Sequence, residues 1–536
     1  MLTNSNKIIN RLEGNMLSRL LPDRDTPNIP NIFLPVESAG IENLDELFDS
    51  RHFSRHASQA VDQLAMHLRD GSIRGLALTD PAGIRAAATR LTRGGQTTDI
   101  TEHDRKLAEI VELYLRTGIQ VYSPGYMGRQ FSGPFPVTAV VDMVSAIATQ
   151  PASFYEAGAL PCVVERVMGE ELNSFLGFPS DRFTMFTTSG GSLANLTALL
   201  AARGRRYPQA WGEGLGGTDR RPAIAVSGDV HYSITRAAGI LGIGENQLVR
   251  LPLDPARRIT PTGAREALDA AAARGLDVFC IVANAGSTSF GAIDPLDELA
   301  DIAAERGIWL HVDGSHGGSL IVSDRLRPRL AGLSRADSLT LDAHKTMFVP
   351  AACTLLFYRD RDQATAAFRQ EASYVFEKTA DVYSEYDSAE RNFECTKRPM
   401  IMSLWVLWAM YGRAPIAEKL EVLCDMTRRA HGILADAPDF VPLHFPDTNI
   451  LCFRYVPEEQ LDPKALGALQ TEIRARVRER GRFFISKVDI DGMPALRLVL
   501  MNHRITADHI RQMLDEVRTV ALTIREEFPQ PEEIRP

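Results

Sequence analysis

The sequence has no excess of positive charge, no cysteine pair at metal-ligand spacing and no long apolar run, and each absence removes a class of function. Its 59 Lys and Arg against 68 Asp and Glu leave a formal charge of -9 at pH 7. No basic field is therefore available to displace counterions from a nucleic-acid backbone. The six cysteines (Cys162, Cys280, Cys353, Cys395, Cys424, Cys452) are scattered, with no C-x-x-C pair and no cluster. That usage suits a reducing compartment, without a disulfide framework or a metal site. Residues Met1 to Leu20 mix Asn, Lys, Arg and Glu with apolar side chains and lack the continuous apolar core of a signal peptide or a membrane span. A cytoplasmic protein with no membrane partner is expected. Internal repeats and low-complexity tracts are missing too. What is there is a chain of 536 residues, 45% hydrophobic and 24% charged. That is ordinary globular composition at a length that calls for two or three packed units and favours a small-molecule partner.

Three stretches differ in pattern. Residues 1 to about 120 carry helical periodicity, for example Ser58 to Arg69 and His103 to Arg116, broken by the Pro and Asn punctuation of Pro22 to Pro35. They read as an accessory helical segment with a place in dimerisation. The text SPGYMGRQFSGPFP, Ser123 to Pro136, holds Tyr126, Phe131 and Phe135 among its glycines and prolines, which marks an ordered loop. From there to about residue 400, short apolar runs at Ala223 to Val226, Val278 to Val282, Ile308 to Val312, Leu339 to Leu341 and Cys353 to Tyr358 alternate with helical stretches at Ala194 to Arg203, Thr262 to Ala273 and Pro295 to Arg306. This alternation predicts an α/β domain with a mostly parallel sheet, spanning about 121–400, with ligands at the carboxyl ends of its strands. After about residue 400, a helix from Ile401 to Met410, strands at Ile450 to Tyr455 and Leu496 to Met501, and a closing helix from Ala507 to Glu527 predict a smaller α+β unit over 401–536.

Three motifs fall at predicted strand ends. In ADSLTLDAHKTMFVP an apolar strand delivers Lys345, whose amine, once shielded from water, is a nucleophile for aldehydes; read alone, it is equally an exposed loop lysine. In GIWLHVDGSHGGS a strand delivers Asp313 into a glycine-rich turn, where a carboxylate can pair with a cationic ring nitrogen or merely cap the turn. In TTSGGSLANLTALLAARG, Gly190, Gly191 and Ser192 open a helix whose free amides and dipole can hold a phosphate, with Ser192 able to cap it. An ordinary capped helix has the same appearance.

Taken together, HVDGSHGG, DSLTLDAHK, GDVHYSITRAAGILGIG and NAGSTSFGAIDP resemble the motifs of the group II pyridoxal 5′-phosphate (PLP) decarboxylases, a likeness covering about residues 105 to 520. The resemblance implies fold type I of the PLP-dependent transferases, aspartate aminotransferase-like, and decarboxylation of an L-amino acid to an amine and CO2. It makes Lys345 the Schiff-base lysine, His344 a phosphate contact beside Gly191 and Ser192, Asp313 the partner of the pyridine nitrogen, His231 the residue stacked over the ring and Thr288 a neighbour of the ring hydroxyl. Arg497 resembles the arginine that receives the substrate α-carboxylate, a task suited to a planar bidentate donor. Residues 372 to 398 resemble the mobile loop of glutamate decarboxylases (YDTGDKALQC against Tyr386 through Cys395). That likeness makes Tyr386 the proton-donor candidate, with Tyr383 as its competitor, and implies a homodimer with shared active sites.

The departures bear on substrate. Ser315 stands where the family has Ala beneath the ring, and His316 where it has Trp or Tyr. Ser123 replaces a His, and Arg129 falls where glutamate decarboxylases have Gln. Arg129 can meet an acidic side chain or serve as a structural ion-pair partner. An acidic or small polar substrate is slightly favoured. A PLP-dependent aminotransferase, a decarboxylating aldehyde synthase and a non-catalytic PLP-binding scaffold use the same cofactor residues. A metal hydrolase on His311, Asp313, His316 and His344 lacks the accompanying Glu-bearing helix.

Overall fold

The structure is a computed structural model that describes residues 48–93, 100–217, 220–365, 368 and 384–527. The chain divides into two compact units, one drawn from Met1–Gln63 and Ala88–Val111 and one from Leu64–Ala87 and Glu112–Pro536. The described residues of the smaller are mainly helical, and in it Gln59 and Gln63 donate through their side-chain amides to the carbonyls of Asp104 and Ala108. The two helices expected near residues 58 and 103 lie within Ser50–Arg69 and Ile100–Arg116. The break at Pro22 to Pro35 is outside the described residues.

In the larger unit, α1 (Pro136–Ala148) and α2 (Ala159–Leu176) precede the strand β1 (Thr184–Thr188), which feeds α3 (Gly191–Arg206). The alternation continues through β2 (Arg221–Ser227), α4 (Tyr232–Ile240), β3 (Leu248–Leu251), α5 (Pro261–Ala273), β4 (Leu276–Asn284), α6 (Leu296–Arg306), β5 (Trp309–Asp313), β6 (Ser338–Asp342) and β7 (Thr354–Tyr358). These strands form one sheet in the order β1-β7-β6-β5-β4-β2-β3. β3, β2, β4, β5 and β6 pair in parallel, whereas β7 runs antiparallel to both its neighbours. The reversal has a simple cause: the link from β6 to β7 is too short for a crossover, so the chain returns beside the strand it has just left. Successive residues of β4 enter opposite cores, Ile281 and Ala283 on one face, Cys280 and Val282 on the other. Burial on both faces is why such strands read as continuous apolar runs rather than alternating ones.

The chain then forms α7 (Ile401–Tyr411), α8 (Ala414–Ala435), β8 (Phe440–Pro442), β9 (Ile450–Tyr455), α9 (Pro463–Arg480), β10 (Ser486–Ile490), β11 (Met493–Val499) and α10 (Ala507–Glu527). The four strands make an antiparallel sheet in the order β8-β9-β11-β10, with its own core under α9 and α10. The loop at Ser123 to Pro136 docks on this sheet. The Val499 amide donates to the Met127 carbonyl at 2.7 Å, the Met127 amide to the Phe484 carbonyl at 2.9 Å, and Tyr126 stacks on Phe484 with ring centroids 5.8 Å apart. A Cβ on Gly125 would lie 2.3 Å from the Arg482 carbonyl oxygen, so only glycine lets the loop approach this closely.

Candidate active site

The carboxyl ends of the parallel strands bring together Lys345, His344, Asp313, His231, Ser315 and Gly191 of the predicted residues. Asp313 closes β5, and Asp342 closes β6 and leads into one helical turn, Ala343–Thr346, that carries His344 and Lys345. Lys345 Nζ lies 2.7 Å from Asp342 Oδ2. The pairing has a physical cause, because a carboxylate as buried as Asp342 requires a cation or donors close by. Thr354 on β7 donates to the other oxygen of Asp342. His344 places Nδ1 2.9 Å from the Cys353 carbonyl and Nε2 3.8 Å from Asp342.

Asp313 is only 7% exposed, and among the described residues no cationic side chain lies within ion-pair distance of it. Its Oδ1 accepts the Ser315 amide at 3.1 Å and its Oδ2 accepts Asn195 Nδ2 at 3.0 Å. Burial works against ionisation. The Ser315 hydrogen bond and the nearby Lys345, His231 and His311 outweigh it and hold the carboxyl below its ordinary value. His231 caps α4, with Nδ1 accepting from the Ser233 amide and lying 2.9 Å from Ser233 Oγ. Burial lowers its pKa, the charge of Lys345 adds to that effect, and Asp313 opposes it.

The first turn of α3 abuts these strand ends. Gly190, with φ of 116°, occupies the cap position and no side chain caps the helix, so the expected cap by Ser192 does not form. A Cβ on Gly191 would lie 2.8 Å from Ser315 Oγ and 2.9 Å from Asp342 Oδ1, so any other residue here has to displace these two side chains. Thr288 lies half-buried in the turn after β4.

On the small sheet, Arg497 of β11 is 8% exposed, its Nε has no hydrogen-bond partner, and no carboxylate pairs with it among the described residues. Burial, followed by the positive charge of Arg129, lowers its pKa. Arg129 itself is exposed on the docked loop. His316 is buried, with Nε2 2.7 Å from Asn449 Oδ1 and Nδ1 without a partner; burial, then Lys345, pushes its pKa to about 3. Tyr386 is placed elsewhere. Its ring packs on Tyr155 at 5.7 Å and under the Arg166 guanidinium at 5.3 Å, and Tyr383 lies outside the described residues. The set suggested for a metal does not converge, since His311 turns its ring nitrogens to Ser338 and Asn195, and His316 turns Nε2 to Asn449.

Asp342, Asn195 and Ser233 were not singled out in the sequence. Asp342 carries the signal of a charged residue one helical turn before Lys345, and Asn195 that of an amide among Leu and Ala on an inward helix face.

The arrangement suits a phosphorylated pyridine aldehyde. It offers a buried carboxylate lacking a cation for the ring nitrogen, a lysine amine for the aldehyde, and an uncapped glycine turn at a helix N-terminus for the phosphate. Residues 94–456 match the pyridoxal-dependent decarboxylase conserved domain. The chain is 29% identical over 373 residues to an aromatic-L-amino-acid decarboxylase of Bacillus atrophaeus, covering 70% of this chain and 76% of that one. It is 31% identical over 372 residues to an L-aspartate decarboxylase of Metarhizium robertsii, covering 69% and 73%. In fold it is similar to the crystal structure of mouse CSAD, with a TM-score of 0.80 at 23% identity over 89% of this chain and 99% of that one. The chain belongs to the pyridoxal-dependent decarboxylase family and is a PLP-dependent amino acid carboxy-lyase.

Proposed function

We propose that the substrate is an acidic or small polar L-amino acid, decarboxylated to its amine in a cytoplasmic homodimer with shared sites. The observation that carries the substrate class is Arg129, which brings a second positive charge near the buried guanidinium of Arg497, itself without a carboxylate partner among the described residues. Two arginines near one site favour an anionic ligand, and a planar donor fork fits a carboxylate. The relative from Metarhizium robertsii is an L-aspartate decarboxylase, which agrees with this reading.

PLP, when bound, supplies an electron sink for the pair left at Cα as CO2 departs. Lys345 would anchor it covalently, and Asp342 is placed to pair with the lysine whenever it is a free ammonium ion. Asp313 would keep its ring nitrogen protonated, and His231, Ser315 and Thr288 would hold the ring. Gly191, Ser192 and His344 would take the phosphate. Arg497 fixes the α-carboxylate and Arg129 the side chain, with His316 bordering the pocket as a neutral acceptor. Tyr386, contributed by the partner subunit, gives the proton to Cα. In support of a dimer, α1 presents Val140, Met143, Val144 and Ile147 at helical spacing, all exposed, an apolar stripe suited to burial against a second copy.

The test is CO2 release from a panel of L-amino acids. Aspartate, glutamate and small polar residues should turn over fastest, and Arg129→Ala should weaken the acidic ones selectively. Faster turnover of aromatic substrates would reject the assignment. Borohydride reduction should leave the cofactor on Lys345.

A further inference from the structure

Asp313 and His231 do not stand alone. Behind them lies a connected set of polar side chains, Asn195, Ser233, His311, Ser338 and Trp309, none more than 2% exposed. We propose that Asn195 is a positioning residue that fixes Asp313 and His231 as one unit, and that Asn195 is itself set by a one-way hydrogen-bond chain from Trp309 through Ser338 and His311. This rests on the reading of Asp313 and His231 as cofactor contacts.

The direction of every hydrogen follows from the two ends. An indole N–H only donates and an ionised carboxylate only accepts. Asp313 Oδ2 lies 3.0 Å from one terminal atom of the Asn195 amide, so that atom is the NH2 group. The Asn195 carbonyl oxygen then faces His311 Nε2 at 3.0 Å, which must carry the ring hydrogen. His311 Nδ1 is left bare and accepts the Ser338 hydroxyl at 2.8 Å. Ser338 Oγ in turn accepts the Trp309 indole N–H at 2.9 Å. A charged His311 would turn a second N–H onto Ser338 and break the sequence, and burial, by pushing its pKa to about 4, keeps the ring neutral.

The second hydrogen of the Asn195 amide goes to Ser233 Oγ at 3.1 Å. Having accepted there, the Ser233 hydroxyl points its own hydrogen at His231 Nδ1, 2.9 Å away, which also receives the Ser233 amide at 3.3 Å. His231 is thereby held with Nδ1 bare and Nε2 protonated. One amide thus dictates the orientation of both residues, and the chain runs out of rotational choices because each member is saturated.

Ring-nitrogen NMR of the 15N-histidine apoprotein reads the tautomers directly. Both His231 and His311 should be neutral Nε2–H forms at pH 7.5. A charged ring or an Nδ1–H tautomer at either position overturns the chain. Asn195→Asp keeps the shape but sets an acceptor against Asp313. It should move the pH midpoint of the bound-cofactor absorbance by a unit or more and cut kcat tenfold or more while KM stays within threefold. His311→Gln retains a donor toward Asn195 and should stay near wild type, whereas His311→Leu, which disturbs packing comparably, should follow Asn195→Asp. Equal midpoints in all three variants would refute the positioning role. If the wild-type protein takes up no PLP, the cofactor reading fails, and the apoprotein tautomers alone decide the chain.

Discussion

The most demanding prediction concerns the pair Lys397 and Glu165. Lys397 is 1% exposed, with Nζ 2.8 and 3.0 Å from the two carboxylate oxygens of Glu165 and 2.9 Å from Ser388 Oγ. Glu165, on α2, also accepts the Thr187 amide at 2.8 Å and the Thr187 hydroxyl. The pair therefore ties β1 to the segment that carries Tyr386. Around it the Ala152 amide donates to the Lys397 carbonyl at 3.0 Å and Asn392 Nδ2 to the Thr187 carbonyl at 3.0 Å. Lys397→Met fills the space but leaves a buried carboxylate without its cation. Loss of one partner of a buried pair costs about 3–5 kcal/mol, which at about 1.4 kcal/mol per factor of ten is roughly two to three and a half powers of ten in local opening. Hydrogen exchange read by mass spectrometry on peptides covering residues 184–189 and 387–398 should accelerate accordingly. Glu165→Gln alone should have a similar effect, since it strands the ammonium. The double variant Lys397→Met with Glu165→Gln removes both charges while keeping an acceptor for Thr187, so it should recover more than half the loss. Exchange in Lys397→Met within threefold of wild type, or a double variant that only adds the two losses, would show that the pair is not the clasp described.

Asp313→Asn should retain PLP by absorbance yet lose about 4 kcal/mol or more of transition-state stabilisation, on the order of three powers of ten in kcat; a rate within tenfold of wild type contradicts the role given to this carboxylate. Tyr386→Phe should divert product from amine toward aldehyde, as read by mass spectrometry, and an unchanged amine yield removes the tyrosine from proton delivery. Lys419 Nζ lies 3.8 Å from the Phe348 ring centroid and donates to the Gly133 carbonyl at 3.3 Å, and burial pushes its pKa to about 7 from 10.5. Between these values the unfolded chain binds the extra proton, so this group makes stability rise with pH from about 7 upward, and its full cost is present below 7. Lys419→Met should therefore gain melting temperature on wild type more at pH 6 than at pH 9. A difference independent of pH removes the assignment.

Strand ends were the most legible part of the sequence. Asp313 stands out because an apolar run buried on both faces stops at a charged residue, Lys345 because it follows such a stop at Asp342 by three residues, and a parallel sheet gathers such ends at one edge. β1 and β10 were not legible: Thr184–Thr188 is rich in polar threonine, and Ser486–Ile490 alternates buried with exposed positions over a very short span. α8 was missed because Pro415 suggests a break, although proline is compatible with a first helical turn. Pairwise facts such as Lys397 with Glu165, or Asn195 with Asp313, depend on contacts distant in sequence and leave only a weak local trace.

The docking of the glycine and proline loop on the antiparallel sheet separates two kinds of change. Groups assigned to the cofactor hang from the large sheet, while Arg129 and Arg497 belong to a loop and a strand joined by backbone hydrogen bonds. Under the roles proposed for the two arginines, selectivity can change by exchanging that pair of surfaces together while the strand ends that would hold the cofactor stay as they are, and a graft of either surface without the other should misalign both arginines.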